Sequence, residues 1–231
     1  MNPLNLSESN KSSVAKVPTK NNIIFISRLI GLSWIIMFFL AIPTVLLIIE
    51  KIIVDGNIEG SQNNIKENRG LFIFGFILYF IILVLDTGIA IGLYHLFKFE
   101  RRNIVISMVT LRLLYVCAIA ISLIFLATQN IQNYFLGLPL SYSFFIIHLF
   151  LLGYIVYNSS YVAKPLGTIL IISSFSYVIT IFGEFLIDEK LLSFLLPIAM
   201  IPAALAEITF GIYLLVKGKE IDEKITEKKL I

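Results

Sequence analysis

Six long apolar runs divide the chain, separated by short polar turns. Each meets the roughly 20 residues a helix needs to cross a bilayer core, so the pattern predicts an all-α, polytopic membrane bundle of about six transmembrane helices. The first run, residues 23–49, follows a polar stretch rich in Asn, Ser and Lys that is expected to be a disordered tail, and its lead-in is too long for an ordinary signal peptide. Pro43 near its far end should kink or end the helix. Residues 50–70 are polar and expected as a loop. The second run, 71–98, and the third, 103–127, are joined by Lys98-Phe99-Glu100-Arg101-Arg102 and must form an antiparallel hairpin. A loop carrying Gln129, Asn130, Gln132 and Asn133 leads to a fourth span expected at 141–162. That span turns at Lys164-Pro165 into a fifth, ending near Leu186. Asp188, Glu189 and Lys190 precede the sixth, 191–216. In the charged tail beyond, Ile221 and Ile225 are too few to predict an amphipathic helix. The expected organisation is a tail at 1–22, a six-helix domain at 23–217 and a charged tail at 218–231.

Composition agrees with the pattern. Hydrophobic residues make up 58 % of the chain and charged residues 14 %, against about a quarter charged in soluble domains. The lipid bilayer is therefore the expected partner. Charge adds an orientation. Lys11, Lys16, Lys20, Lys98, Arg101, Arg102, Lys164, Lys217, Lys219, Lys224, Lys228 and Lys229 fall at one set of alternate ends, and only Lys51, Lys66, Arg69 and Lys190 at the other. Because cytoplasmic loops retain Lys and Arg, both termini are expected inside, and a cytoplasmic membrane is the expected location. A net charge of +3 spread between the apolar runs speaks against nucleic-acid binding. Cys117 is the single cysteine, which excludes an internal disulfide and a cysteine metal cluster within one chain.

Some local patterns concern packing. Arg28-Leu29-Ile30-Gly31 resembles Lys164-Pro165-Leu166-Gly167, and Gly92-Leu93-Tyr94 resembles Gly211-Ile212-Tyr213. The likeness fits a duplicated helical hairpin, but Gly and Tyr near an interface are also what unrelated spans collect, and that is the favoured reading. Gly88-Ile89-Ala90-Ile91-Gly92 is a small-xxx-small pattern that lets a neighbouring helix approach within the bundle. Pro197 and Pro202 are expected to kink the last span.

Ionisable residues inside spans are the candidates for chemistry, since one at mid-bilayer costs at least about 2.5–3.5 kcal/mol. Asp86, Arg112, His148 and Glu207 are four such residues. At about 1.5 Å per residue from the basic ends of their helices, all lie about 13–18 Å deep. They are candidates for substrate or ion binding in one layer. A hairpin centred near Glu100 sets Asp86 close to the level of Arg112, so an ion pair is expected, extended by His148 or Glu207. The same residues could instead fix which helices are neighbours, or Arg112 could snorkel to the headgroups. His95 and Arg28 are expected at the basic-end interface and Glu184 near the other. One histidine beside two carboxylates is thin for a metal site. The chain has no Gly-x-Ser-x-Gly, no His-Glu-x-x-His, no Gly-rich phosphate loop and no lysine within a span. No catalytic residue, metal or cofactor is expected.

At these residues the chain resembles the bacterial membrane family catalogued as domain of unknown function 4386. The likeness lies in Arg28-Leu29-Ile30-Gly31, Asp86 with Ala90 and Leu93-Tyr94, Arg112-Leu113, His148 with Gly153, Leu166-Gly167 with Tyr177, and Glu207 with Leu214-Leu215-Val216-Lys217-Gly218. It spans residues 24–218. Pro165 directly before Leu166-Gly167 departs from the family pattern, as does Tyr213 where the family often has tryptophan. The resemblance implies a six-span bacterial membrane protein and carries no activity. The polar layer suits a small transporter or permease. The alternative is a sensor, accessory or immunity-type subunit with a structural layer and a protein partner. A lipid-modifying enzyme has the least support.

Overall fold

A computed structural model describes residues 20–54 and 56–230. The expected disordered tail, with Lys11 and Lys16, lies almost wholly outside the described residues, as do the side chains of Glu184 and Lys229. Among the described residues there are seven α-helices longer than one turn. They are α1 (Lys20–Ile42), α2 (Ile58–Glu67), α3 (Arg69–Phe97), α4 (Arg102–Ala127), α5 (Ile131–Asn158), α6 (Lys164–Leu186) and α7 (Glu189–Leu230). All except α2 are long and apolar enough to cross a membrane, so the chain has the architecture of a multi-pass membrane protein. No strand occurs among the described residues.

One expectation about boundaries holds and three are corrected. The first span leaves α winding at Ile42, directly before Pro43, as expected. It changes to π winding over Pro43–Ile49 before one α turn at Glu50–Ile52. Proline has no N–H for the carbonyl one turn back, and a π segment is one way for a helix to pass that gap. The Thr44 hydroxyl donates to the Leu40 carbonyl at 2.6 Å across the change.

The expected loop at 50–70 is in large part α2. Asn57 Oδ1 accepts from the Gly60 N–H at 2.8 Å, an N-cap that satisfies one orphan donor. Ser61 and Ile65, one turn apart, are both buried, and Ile65 joins Ile49, Ile52 and Ile53 in a small core that closes this end of the bundle.

Helix α5 starts ten residues before its expected position, because Asn130 Oδ1 caps it by accepting from the Asn133 N–H at 3.2 Å. It stops at Asn158. The turn that follows buries Tyr161, whose hydroxyl donates to the Leu96 carbonyl at 3.3 Å. Burial, reinforced by the nearby Glu100 carboxylate, raises this phenol well above its usual range, so it stays a neutral donor.

The charged tail is not separate from the sixth span: α7 runs unbroken through Pro197 and Pro202 to Leu230. Ile221 and Ile225 are buried, and Lys228 Nζ reaches Glu100 at 2.7 Å on the α3–α4 turn. Two isoleucines are weak evidence in isolation, but the turn they cover supplies the other half of the contact.

The six spanning helices close a ring. Sequence neighbours pack from α3 through α7, and α1 completes the circle by packing on both α7 and α3. The α1–α7 and α5–α6 crossings are close at glycines. A Cβ on Gly31 would lie 2.5 Å from the Gly211 carbonyl oxygen and 2.6 Å from the Leu215 nitrogen. One on Gly153 would lie 2.8 Å from the Gly167 oxygen. Gly31 and Gly167, which close the two similar segments 28–31 and 164–167, thus both sit at a helix crossing. In the small-xxx-small pattern only Gly92 packs internally, against Ile30, and Gly88 faces open space. The ring's outer surface carries Phe25, Phe39, Phe74, Phe80 and Phe194, each more than half exposed, as a lipid-facing surface requires.

Candidate functional site

Four of the spanning helices carry the ionisable residues: Asp86 on α3, Arg112 on α4, His148 on α5 and Glu207 on α7. Hairpin geometry brings Asp86 of α3 to Arg112 of α4, where Asp86 Oδ1 and Arg112 Nη2 form an ion pair. Asp86 is 2 % exposed and Arg112 fully buried, so Arg112 does not snorkel. Such a pair is stable at this depth only when further contacts share the charge. Arg112 Nη1 donates to His148 Nε2 at 2.9 Å, and its guanidinium lies 4.8 Å from the Trp34 ring and 5.8 Å from the Phe145 ring. These aromatic faces are favourable ground for a desolvated cation.

The contacts also settle the protonation of His148. A guanidinium has only donors, so Nε2 must offer its lone pair. Nδ1 then carries the proton and donates it to the Met108 carbonyl at 2.8 Å. His148 is a neutral imidazole with both nitrogens in use, and it ties α5 to α4 twice. Among the described residues no group of three His, Cys, Asp or Glu could hold a metal ion.

Glu207 of α7 stands apart from this triad. Its Oε1 accepts from the Tyr177 hydroxyl of α6 at 2.7 Å, and no basic side chain among the described residues pairs with it. Unlike the other three, it is partly exposed. Tyr177 is stacked at 6.4 Å on Tyr142 and meets Phe145 edge-on at 5.1 Å. Phe145 and Tyr115 lie 4.9 Å apart, and Phe210 meets Trp34 edge-on at 5.2 Å. An aromatic shelf therefore separates the sealed triad from the Tyr177–Glu207 pair. Of the two extensions expected for the ion pair, His148 makes one and Glu207 is a separate carboxylate.

Trp34, Tyr115, Tyr142 and Phe145 are not legible as site residues from polarity. The available signal is periodicity, since positions 142, 145 and 148 share one face of α5. His95 lies at the basic end, partly exposed, its ring edge-on to Tyr94 at 5.6 Å. Trp34 Nε1, Arg112 Nε and Ser173 Oγ are buried without a hydrogen-bond partner among the described residues.

The family described as "Domain of unknown function (DUF4386)" matches residues 29–131 and 126–218, a range that includes all four intramembrane polar residues. A protein of Archaeoglobus fulgidus described as an uncharacterized protein is 29 % identical over 157 residues, 67 % of this chain and 90 % of the relative. No solved structure matches. With spans, order and motifs in agreement, the chain belongs to the family of domain of unknown function 4386.

Proposed function

We propose that the protein is a small carrier of the cytoplasmic membrane in which Glu207 is the exchangeable proton or cation site and the Asp86–Arg112–His148 chain is the rigid frame. The observation that carries this is the asymmetry of the two carboxylates. Asp86 is neutralised by a buried guanidinium, whereas Glu207 has one phenolic donor and no ion pair among the described residues. A carboxylate at this depth without a counter-charge is costly unless it takes up a proton or a cation. The basic ends of the helices, gathered around Glu100, Arg101 and Lys228, face the cytoplasm in this scheme.

The test is flux into proteoliposomes holding a pH-sensitive dye, driven by an imposed pH gradient or by one monovalent cation at a time. The parent is expected to conduct and Glu207→Gln to lose at least about tenfold. Asp86→Asn should lose activity only in proportion to the fraction that folds. Flux that survives neutralisation of both carboxylates overturns the proposal.

An accessory-subunit role is favoured by a different observation. Every charge of the sealed triad is spent on another helix, as expected of a layer that only fixes neighbours. In that case proteoliposomes of the parent are inactive, and a specific partner cross-links to the extension of α7.

A further inference from the structure

Arg28 is exposed and, among the described residues, has no ion pair or hydrogen bond. It sits about 9 Å along α1 from the start of the first span at Asn22, a depth from which an arginine reaches the headgroup level by snorkelling. Beside it opens a groove of about 380 Å³ lined by Ile24, Phe25, Arg28, Leu29, Leu32 and Leu215, within the roughly 300–1,000 Å³ of small-ligand sites. Phe25, Leu29 and Leu32 fall at i, i+4 and i+7 and form one wall; Leu215 of α7 forms the other. The groove exists because Gly31 and Gly211 let the two helices approach closely just beyond it, and Gly218 adds no side chain where α7 passes Ser27 and Arg28.

We infer that this groove is a binding site for one anionic phospholipid. The phosphate pairs with Arg28 and one acyl chain lies along Leu29, Leu32 and Leu215. Charge decides the occupant. The groove is otherwise apolar and opens sideways from the bundle at bilayer depth, so its surroundings are lipid. Its one polar group is a cation without a partner, and a guanidinium matches a phosphate with two parallel N–H donors. The nearby Lys217 is already held by Glu220 at 2.8 Å. A lipid here would cover the α1–α7 crossing, the contact that closes the ring.

The experiment is native mass spectrometry with a parallel thermal-shift titration, adding phosphatidylglycerol or phosphatidylcholine to the full chain in detergent. The parent is expected to retain phosphatidylglycerol about fivefold better and to be stabilised by it, consistent with one basic residue acting on an anionic headgroup. Arg28→Gln should abolish the preference without changing the melting temperature in lipid-free detergent, and Arg28→Lys should restore part of it. Leu32→Trp, which fills the groove, should weaken both lipids. Equal retention of the two lipids by the parent, or an unchanged preference in Arg28→Gln, overturns the site.

Discussion

Replacing Asp86 by Asn and Arg112 by Gln, singly and together, gives the most informative perturbation of this bundle. Asp86→Asn strands a fully buried guanidinium that keeps His148, Trp34 and Phe145 but loses its counter-charge. Breaking one side of a buried pair costs about 3–5 kcal/mol. Arg112→Gln strands Asp86 by the same mechanism and removes the donor to His148 Nε2, so its cost is at least that of Asp86→Asn. If the two sites acted independently, the double variant would lose at least about 6 kcal/mol. With both charges gone nothing is stranded, and what remains is the lost His148 bond and the lost ring contacts, about 2–4 kcal/mol. The coupling should therefore be about 3 kcal/mol, near the top of the range for residues in contact. Polar pairs within membrane bundles couple by about 0.6 kcal/mol on average, which makes the difference measurable. The assay is equilibrium unfolding in mixed micelles with increasing SDS, followed by tryptophan fluorescence, since Trp34 is the chain's single tryptophan and lies against Arg112. A coupling at or below about 0.6 kcal/mol refutes the reasoning: the pair would then be no stronger than an ordinary hydrogen bond, and α3 and α4 would be held by packing alone.

Other predictions follow from particular contacts. Gly31→Ala should destabilise by about 1–3 kcal/mol, because the new methyl group meets backbone atoms of α7 that cannot move aside, whereas Gly88→Ala, facing open space, should stay within about 0.5 kcal/mol; the same SDS titration compares them. Ile221→Ala, past the apolar part of α7 but fully buried, should cost about 2–4 kcal/mol and speed proteolysis of the α7 extension, and wild-type protection in that variant would mean the extension is held by Lys228 and Glu100 alone. Tyr177→Phe leaves Glu207 Oε1 without its donor and should cost about 1–3 kcal/mol; a neutral result would show that another group serves that oxygen.

The spans were legible because a bilayer imposes length and polarity at once. A run of some 20 apolar residues has no other economical place, and an ion within it stands out against its neighbours. The Asp86–Arg112 pair was legible for a further reason: a tight turn at 98–102 fixes the register of the two helices it joins. The turn between α6 and α7 is as tight, but equal counting from it sets position 177 opposite about position 198 rather than Glu207, so the partner, Tyr177, could not be read. The misjudged segments share one cause. At 50–70, at 129–140 and after Gly218 the helices are polar or short, and caps at Asn57 and Asn130 or burial of Ile65, Ile221 and Ile225 against other elements hold them. Those partners lie far away in sequence or depend on one side chain.

By itself, then, the sequence determined the number of spans, the charge bias of their ends and the depth of four expensive residues, because these depend on exchange with water and lipid, which acts locally along the chain. The tertiary structure alone decided which faces turn inward, that α1 and α7 close the ring at Gly31 and Gly211, and that Arg112 takes both Asp86 and His148 while Glu207 keeps only a phenol. The physical reason lies in the solvent. In a bilayer the outward face of a helix is as apolar as its inward face, so hydrophobic periodicity, which orients a helix in water, is silent here. Small residues at crossings and a few interhelical hydrogen bonds set the orientation instead, and these interactions are defined only once the helices meet.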